Sequence, residues 1–326
     1  MTGGAGFIGS HLSALLLDDG WEVFCLDDLS TGSVDNIRAL DADPRFHLVV
    51  DSVLAPAVVN ELVYKCDVVY HLAAAVGVRL IVEQPFASHV TNVEGTAAVL
   101  DQCARFGKRV LVASSSEVYG DHPGTDELEE TARRIYGPTT ATRWAYAAAK
   151  AIDEFLALAR HREDGLDCVI VRLFNTVGPR QSERYGNVIP TFVSRALANS
   201  TLEVHGDGTQ VRCFCHVFDV VRGLKALMEA PSTSGEIFNL GSNAPVRIID
   251  LAARVCELTA SSSEIEFIPY DQVYGRGIED MQHRAPSIEK IRSAIDWRPE
   301  RDLEDILEDV IDHVRGAPAP VSGYDA

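Results

Sequence analysis

Three glycines near the start of the chain constrain its fold more than any other feature. They stand at positions 3, 6 and 9 of the segment Thr2-Gly3-Gly4-Ala5-Gly6-Phe7-Ile8-Gly9, and residues 10–19 that follow have a helical pattern. In a strand–turn–helix unit, such a loop lets the backbone approach a pyrophosphate, whose charge then lies at the N-terminus of the helix. The segment therefore predicts a dinucleotide site in an open α/β sheet.

An acidic residue after the next apolar run indicates which dinucleotide the loop binds. The run that begins at Trp21 ends at Asp27, where a carboxylate can accept hydrogen bonds from both hydroxyls of an adenosine ribose. The same carboxylate would repel the 2′-phosphate of NADP. The sequence therefore favours NAD as the cofactor.

Apolar runs alternate with helical segments through the first half of the chain. The runs lie at 23–26, 46–50, 68–72, 110–113 and 168–174, and helices are predicted at 10–19, 34–41, 56–65, 88–106 and 143–163, the last ending at Gly165. This alternation predicts an α/β domain over residues 1–175 with a doubly wound parallel sheet, a Rossmann fold.

Shorter and more mixed elements follow, which predict a smaller C-terminal substrate-binding lobe over residues 176–315. Its predicted helices lie at 188–199, 219–230, 247–258, 287–295 and 302–314, and its predicted strands at 211–216 and 236–240. The strand at 236–240 is able to return to the main sheet. A flexible tail is expected over residues 316–326.

The apolar strand that usually precedes a glycine loop is missing from this sequence. Met1 stands where that strand would end. The strand is central in a doubly wound sheet, and its omission would leave two neighbours with unpaired backbone groups. We therefore expect the first strand to be truncated and the natural chain to begin upstream of Met1.

Charge and composition exclude several functional classes. The formal net charge is −19, which opposes binding to nucleic acid and to anionic membranes. No apolar run approaches about 20 residues and no basic leader precedes one, so we expect a cytoplasmic enzyme. The seven cysteines are scattered through apolar runs, which predicts reduced thiols and no metal site.

Tyr146 and Lys150 lie one helical turn apart and therefore share a helix face. A free tyrosine has a pKa of about 10. A nearby ammonium stabilises the phenolate, so we expect Lys150 to lower the pKa of Tyr146. Tyr146 would then accept a proton from a sugar hydroxyl near neutral pH. The pair indicates redox chemistry on an alcohol.

A serine-rich segment, Ser114-Ser115-Ser116-Glu117-Val118-Tyr119-Gly120, follows the strand at 109–113. The carboxyl ends of parallel strands are where doubly wound enzymes place their ligands. Hydroxyl groups at this position can reach a sugar.

Together these motifs resemble the extended short-chain dehydrogenase/reductases that modify nucleotide sugars, and the likeness runs nearly end to end. The matching segments are 2–12, 26–28, 70–74, 91–96, 114–120, 146–150, 172–180 and 206–219. The resemblance implies that Tyr146 is the base, that Lys150 binds the nicotinamide ribose, and that Ser115 binds the 4-hydroxyl of the sugar. It also implies a homodimer formed through a four-helix bundle of helices 88–106 and 143–163.

The resemblance further implies two sets of binding residues. The cofactor set is Gly3, Gly6, Phe7, Ile8, Gly9, Asp27, Asp51, Ser52, Leu72, Ala73, Ala74, Asn92, Tyr146, Lys150 and Phe174. The substrate set is Ser115, Ser116, Asn175, Arg180, Val188, Arg212, Arg276 and Arg284. Within it, Arg212 is expected at the diphosphate, with Arg276 as another candidate for that role. The substrate is expected to be a nucleotide sugar, most simply a UDP-sugar.

The family shares a first step, in which C4 of the sugar is oxidised to a transient ketone, and its subfamilies diverge afterwards. Glu117, Arg180 and Arg284 resemble residues of UDP-glucuronate decarboxylases, with Glu117 and Arg284 expected to be catalytic. The loop at 75–79 is more similar to UDP-sugar 4-epimerases, which are the alternative. Ser116 stands where dTDP-glucose 4,6-dehydratases have aspartate, although GDP-mannose dehydratases have serine there.

A non-enzymatic alternative is an NAD-sensing regulator that has kept the fold and lost the active site. Such a protein needs only the glycine loop and Asp27. The presence of Ser115, Tyr146 and Lys150 argues against it.

Overall fold

Parallel strands form the central sheet of the first lobe in the computed structural model, which describes residues 1–77, 84–122, 124, 127–183, 187–274 and 281–316. The strands are β1 (Val23–Asp27), β2 (Phe46–Val50), β3 (Val68–His71), β4 (Arg109–Ser115) and β5 (Cys168–Leu173). The helices are α1 (Phe7–Asp18), α2 (Val34–Ile37), α3 (Pro56–Lys65), α4 (Pro85–His89), α5 (Gly95–Phe106) and α6 (Arg143–Asp164).

Thr2 joins the two halves of this sheet. One half is the parallel pair β1–β2 and the other begins with β3–β4–β5. Thr2 forms single parallel bridges to Leu26 on one side and to His71 on the other. Its N–H donates to Tyr70 O at 2.9 Å, and the N–H of Leu72 donates to its carbonyl at 3.2 Å. Thr2 thus occupies the central position between β1 and β3.

The remainder of the chain, which the sequence predicts to form a second lobe, contains shorter elements. Its strands are β6 (Thr176–Val177), β7 (Leu202–His205), β8 (Val211–Cys213), β9 (Cys215–His216), β10 (Glu236–Leu240), β11 (Pro245–Arg247), β12 (Ile265–Ile268) and β13 (His283–Arg284). Its helices are α7 (Val188–Leu197), α8 (Val217–Glu229), α9 (Ile248–Thr259), α10 (Tyr270–Tyr274), α11 (Glu289–Ile295) and α12 (Leu303–Gly316).

The segment 236–240 does return to the main sheet, as the sequence allowed. β10 pairs in parallel with β5 in the register Glu236 to Val169 through Leu240 to Leu173. The predicted α/β class with a parallel sheet is therefore confirmed. The lobe's own core lies between α7, α9 and α12, where Ile189, Leu251 and Ile306 have no exposed surface.

Two predicted elements are interrupted in the structure. The predicted strand 211–216 breaks at Phe214, because β8 pairs with β11 and β13 whereas β9 pairs with β6. The predicted helix 88–106 contains a π-helical turn, Val90–Glu94, between α4 and α5. π-Turns inside helices frequently occur at functional sites. Within the described ranges, none of the helices combines the length and apolarity that a membrane span requires.

Candidate active site

The glycine loop packs closely against the backbone of the neighbouring strand end. Gly3 has a φ of 70°, and a Cβ atom there would lie 2.7 Å from the backbone nitrogen of Ala73. A Cβ atom on Gly9 would collide with the carbonyl oxygen of Gly3. Side chains are therefore excluded at both positions, and the N-terminus of α1, which carries Phe7 and Ile8, faces a loop of bare backbone. This cradle fits a pyrophosphate.

Asp27 lies at the end of β1 beside this loop and is only 7% exposed. Its Oδ2 accepts a hydrogen bond from Ala5 N and its Oδ1 accepts one from Leu29 N, both at 2.9 Å. Burial raises the pKa of Asp27, and the two backbone donors oppose that rise. A carboxylate can accept about four hydrogen bonds, so Asp27 retains acceptor capacity for a ribose hydroxyl. These residues fit the adenosine half of NAD.

Asn92 fixes the loop after β3. Its side chain accepts a hydrogen bond from Ala75 N at 2.7 Å and donates one to Ala75 O at 3.1 Å. The π-helical turn carries Asn92, which is 1% exposed. These two hydrogen bonds fix the backbone conformation at Ala75, directly after the predicted cofactor residues Leu72, Ala73 and Ala74.

Three other predicted cofactor residues differ in their surroundings. Asp51 and Ser52 follow β2, where the Asp51 carboxylate accepts a hydrogen bond from Ser52 N at 2.7 Å and Asp51 is exposed. Phe174 has no exposed surface and packs on Tyr119, with 6.0 Å between the ring centroids. Phe174 belongs to a buried cluster with Val118, Tyr119, Leu128 and Ala151, and its contact with the cofactor stays a prediction.

Ser115, Tyr146 and Lys150 come together where β4 ends beside α6. Lys150 is 2% exposed, and its Nζ donates to Ala113 O at 3.0 Å and to Asp153 Oδ2 at 3.1 Å. Ser115 and Tyr146 form a side-chain hydrogen bond. A sugar hydroxyl bound at Ser115 could therefore pass its proton to Tyr146, with the ammonium group of Lys150 on the same helix face as the tyrosine.

The sequence prediction of a lowered tyrosine pKa was wrong for the protein without its ligands. Burial raises the pKa of Tyr146 above its usual value, and this effect exceeds the opposing attraction from Lys150. Glu117 and Asp153 act in the same direction as burial. Burial lowers the pKa of Lys150, but attraction to Asp153 and Tyr146 more than offsets it, so the pKa is raised and Lys150 stays charged.

Glu117 and Arg284 also meet at this end of β4. Arg284 forms an ion pair with Glu117, and its Nη2 donates to Asn175 Oδ1 at 2.7 Å. The Glu117 side chain is 25% exposed and the Arg284 side chain is 11% exposed. Asn175 in turn donates to Cys213 O at 3.0 Å. The structure therefore brings three predicted site residues from distant parts of the chain together.

A second arginine lies beside this group. Arg212 on β8 pairs in register with Arg284 on β13, so the two side chains leave their strands on the same face. Arg212 is 6% exposed, and its Nη1 donates to Val211 O at 2.8 Å. Two neighbouring guanidinium groups favour an anionic ligand.

Other predicted substrate residues have different surroundings. Arg180 has a φ of 68°, and its backbone N–H donates to His313 Nε2 at 3.1 Å. Burial lowers the pKa of His313 and of His11, and the charge of Arg180 acts in the same direction on both. Ser116 is buried, with 3% exposure, and Val188 begins α7. Arg276 lies outside the described residues, as do residues 78 and 79 of the epimerase-like loop.

Sequence reasoning missed a set of buried polar residues behind the site. Glu154 accepts hydrogen bonds from Ser114 Oγ at 2.6 Å and from Arg172 Nε at 2.9 Å, and it also binds Arg134. Asp153 bonds to Lys150, as described above. Their positions three and four residues after Lys150 are a signal that could have found them, because both spacings return to the lysine's helix face.

The fold, the glycine loop and the Ser115–Tyr146–Lys150 group define an extended short-chain dehydrogenase/reductase. A family model described as GDP-mannose 4,6 dehydratase matches residues 1–310, and the chain belongs to this family. The predicted family resemblance is therefore confirmed.

Curated relatives align over nearly the whole chain. The UDP-N-acetyl-alpha-D-glucosaminuronate decarboxylase of Bacillus cytotoxicus is 38% identical over 97% of this chain and 97% of its own length. UDP-glucuronic acid decarboxylase 6 of Arabidopsis thaliana is 36% identical over 94% of this chain and 85% of its own length.

Among solved structures, the UDP-glucuronic acid 4-epimerase of Bacillus cereus in complex with NAD has a TM-score of 0.84 at 27% identity. The match covers 96% of this chain and 97% of the epimerase. The UDP-glucose 4-epimerase of Thermotoga maritima with UDP-glucose has a TM-score of 0.85 at 28% identity, over 96% and 97% of the two chains.

Proposed function

We propose that this protein is an NAD-dependent decarboxylase of a UDP-linked uronic acid. The observation that carries the proposal is the Glu117–Arg284 ion pair beside the hydrogen-bonded Ser115 and Tyr146. A carboxylate and a fixed cation beside a serine and a tyrosine suited to oxidising an alcohol support a decarboxylation that follows the oxidation. The decarboxylases among the relatives support the same reaction.

The first step is oxidation at C4 of the sugar. Bound NAD would supply the hydride acceptor. Ser115 binds and orients the 4-hydroxyl, and Tyr146 takes its proton. The charged Lys150, held against Ala113 O, stabilises the phenolate form of Tyr146 while the proton leaves the sugar.

The second step follows from the new ketone. A carboxylate on C5 next to a C4 ketone belongs to a β-keto acid, so its C–C bond breaks, CO2 leaves and the electron pair moves into the C4 enolate. The positive charge of Arg284 stabilises the negative charge that develops on the sugar. The enolate then gains a proton from solvent at C5. The reduced cofactor would supply the hydride to C4, and Tyr146 gives its proton back to the C4 oxygen. The net reaction changes no free NADH.

A UDP-sugar 4-epimerase is the alternative reaction, and the solved 4-epimerases that share this fold favour it. The decarboxylase would be a lyase, whereas the epimerase would be an isomerase. A 4,6-dehydratase ranks third. Two further predictions remain proposals: a cytoplasmic location, and a homodimer that uses the face of α6 where Ile152 and Phe155 are 45% and 62% exposed.

The test supplies NAD with either UDP-glucuronate or UDP-N-acetylglucosaminuronate, because the relatives named above differ in the group at C2 of the sugar. Products are followed by mass spectrometry and proton NMR, with the Tyr146→Phe variant as the control. Loss of the mass of CO2 supports the proposal and identifies the preferred sugar. An isobaric epimer, or no turnover of either sugar, would overturn it.

A further inference from the structure

Asp153 is a fully buried carboxylate that the reaction described above does not use. It has 0% exposure, and its Oδ2 lies 3.1 Å from the Lys150 Nζ. Its Oδ1 makes no hydrogen bond to the described part of the chain. The Thr96 hydroxyl, which bonds to His71 Nε2 at 3.0 Å, is a second polar neighbour.

A buried carboxylate is costly unless a cation compensates it. Burial raises the pKa of Asp153, whereas the charge of Lys150 opposes that rise and favours the carboxylate, and Asp153 in turn favours the charged form of Lys150. The two groups therefore form a nearly neutral pair. A neutral pair exerts a weaker electrostatic effect on its surroundings than a lone ammonium group does.

Tyr146 is the residue that experiences this difference. The charged groups that act on its phenol are Lys150, which favours the phenolate, and Glu117 and Asp153, which disfavour it. Around Lys150 itself the other ionisable groups are Glu154 on the same helix and His71 on β3. Burial lowers the pKa of His71 to about 3, so this ring is neutral. Asp153 and Glu154 thus both act on Lys150 from the same helix, and Asp153 is the one in direct contact with its ammonium group, at 3.1 Å.

We propose that Asp153 is a positioning residue, which holds the Lys150 ammonium against Ala113 O and limits how strongly that ammonium favours the phenolate of Tyr146. The inference deepens the proposed function and rests on it, because only the proposed reaction gives Tyr146 its role as a base. Two properties follow. Lys150 is fixed before any ligand binds, and the proton affinity of Tyr146 is kept high enough for it to return a proton at the end of the reaction.

The test is the Asp153→Asn variant, because asparagine has nearly the same shape and no charge. The protein is produced with tyrosine labelled at Cζ with ¹³C and titrated by NMR without any sugar. The Tyr146 resonance is identified by its absence from the Tyr146→Phe variant. We expect the Tyr146 transition to move to lower pH by about one unit, which is about a tenfold loss of proton affinity.

The matched control is Asp164→Asn, on the same helix, which removes an exposed acid that pairs with Arg160. Its Tyr146 transition should stay in place. An unchanged transition in Asp153→Asn, or a move to higher pH because Lys150 has lost its charge, would overturn the proposal. If the amide is not tolerated, Asp153→Ser removes the same charge, leaves room for a water and is read in the same way.

This titration is independent of the proposed reaction. A missing decarboxylase activity with a shifted Tyr146 transition would refute the proposed function and leave the role of Asp153 intact. Decarboxylase activity with an unshifted Tyr146 transition would support the proposed function and refute the role of Asp153. A purely structural role for Asp153 would lower the stability of the protein without moving the titration of the phenol.

Discussion

Glu117 and Arg284 are separated by 167 residues in the chain and form an ion pair in the folded protein. Glu117 follows β4 of the first lobe, and Arg284 lies on β13 of the second. The backbone beside Arg284 is tied back to the first lobe, because Leu128 N donates to Ala285 O at 2.8 Å and Ser287 N donates to Leu128 O at 2.9 Å. The acid and the cation of the candidate site therefore meet only when both lobes are folded.

This ion pair should show strong energetic coupling. Glu117→Gln or Arg284→Gln alone leaves a mostly buried charge without its partner, and we expect each to lower the free energy of unfolding by about 1–3 kcal/mol. The double variant should lose less than the sum of the two. Urea unfolding of the unmodified protein, the two single variants and the double variant measures the coupling energy. Strictly additive losses would show that the ion pair contributes no coupling energy to stability.

Catalysis should not recover in that double variant. If both residues act on the sugar, decarboxylation should fall by about 100-fold or more in each single variant, as is typical for a lost charge-stabilising group. The decarboxylation rate should stay low in the double variant even if its free energy of unfolding is partly recovered. Proton NMR of the products gives the rates. Recovery of activity together with stability would reduce Glu117 and Arg284 to a structural pair.

Tyr146→Phe should lose turnover and keep the cofactor. The ring still fills its place, but the phenol that takes the proton is gone, so we expect kcat to fall by about 10²–10⁴-fold. NAD affinity, measured by isothermal titration calorimetry, should change little. A variant that retains its turnover would need another base.

Asp27→Asn should weaken NAD binding. Amide substitution removes the charge that a ribose hydroxyl would bind, and a hydrogen bond to a charged group is worth about 1.5–3 kcal/mol. The Kd for NAD should therefore rise by about 10–100-fold. Asp28→Asn is the control, because Asp28 is an exposed neighbour that binds Ser30. Equal effects of the two changes would argue against a specific ribose contact.

His11 should make stability depend on pH. Burial lowers its pKa from 6.5 to about 4 in the folded protein, where its Nε2 bonds to Pro179 O at 2.9 Å. The unfolded chain therefore takes up the proton first as the pH falls, so stability is lost from about pH 6.5 down to pH 4. Between pH 7 and pH 5 this group alone should cost about 2 kcal/mol.

His11→Gln removes that titration and replaces the ring N–H with an amide N–H as the donor to Pro179 O. Urea unfolding at pH 7 and at pH 5 gives the stability that each protein loses between these two pH values. The variant should lose about 2 kcal/mol less than the unmodified protein. Other titrating groups act on both proteins alike. An identical loss in the two would show that His11 does not remain neutral on folding.

Phe155→Glu should disrupt the proposed homodimer. The change places a charge on the exposed face of α6, where an apolar interface would have to desolvate it. Light scattering after size exclusion should show a dimer for the unmodified protein and a monomer for the variant. Tyr64→Glu is the control, an aromatic residue on α3 with 67% exposure. A monomeric unmodified protein would refute the dimer itself.

The sequence predicted most of the first lobe because its elements are long and periodic. The helix at 56–65 and the strand at 46–50 have the predicted bounds, and Gly165 ends α6 with a φ of 69°. The short strands β6 and β13 were not predicted, because two residues carry no alternation to detect. Arg284 was found by resemblance, but its pairing with Glu117 depends on how the chain returns.

The prediction for Tyr146 shows a different limit. Helical spacing correctly placed Tyr146 and Lys150 together, and it gave the correct sign for the effect of the ammonium on the phenol. It gave no information on burial, which depends on every segment that packs around the ring, and burial determines the direction of the pKa shift. Asp153 was missed for a related reason, since a buried acid and a solvated one look alike in a sequence.

The contacts of Glu154 have a consequence for how such a protein can change over evolutionary time. This residue is 1% exposed and binds Ser114, Arg172 and Arg134, so the end of β4 that carries Ser115 is fixed to the buried interior. Arg284 lies on a strand of only two residues. Substitutions around the short strand should therefore be tolerated more readily than substitutions at Glu154, which would deprive two arginines and a buried hydroxyl of the acceptor they share.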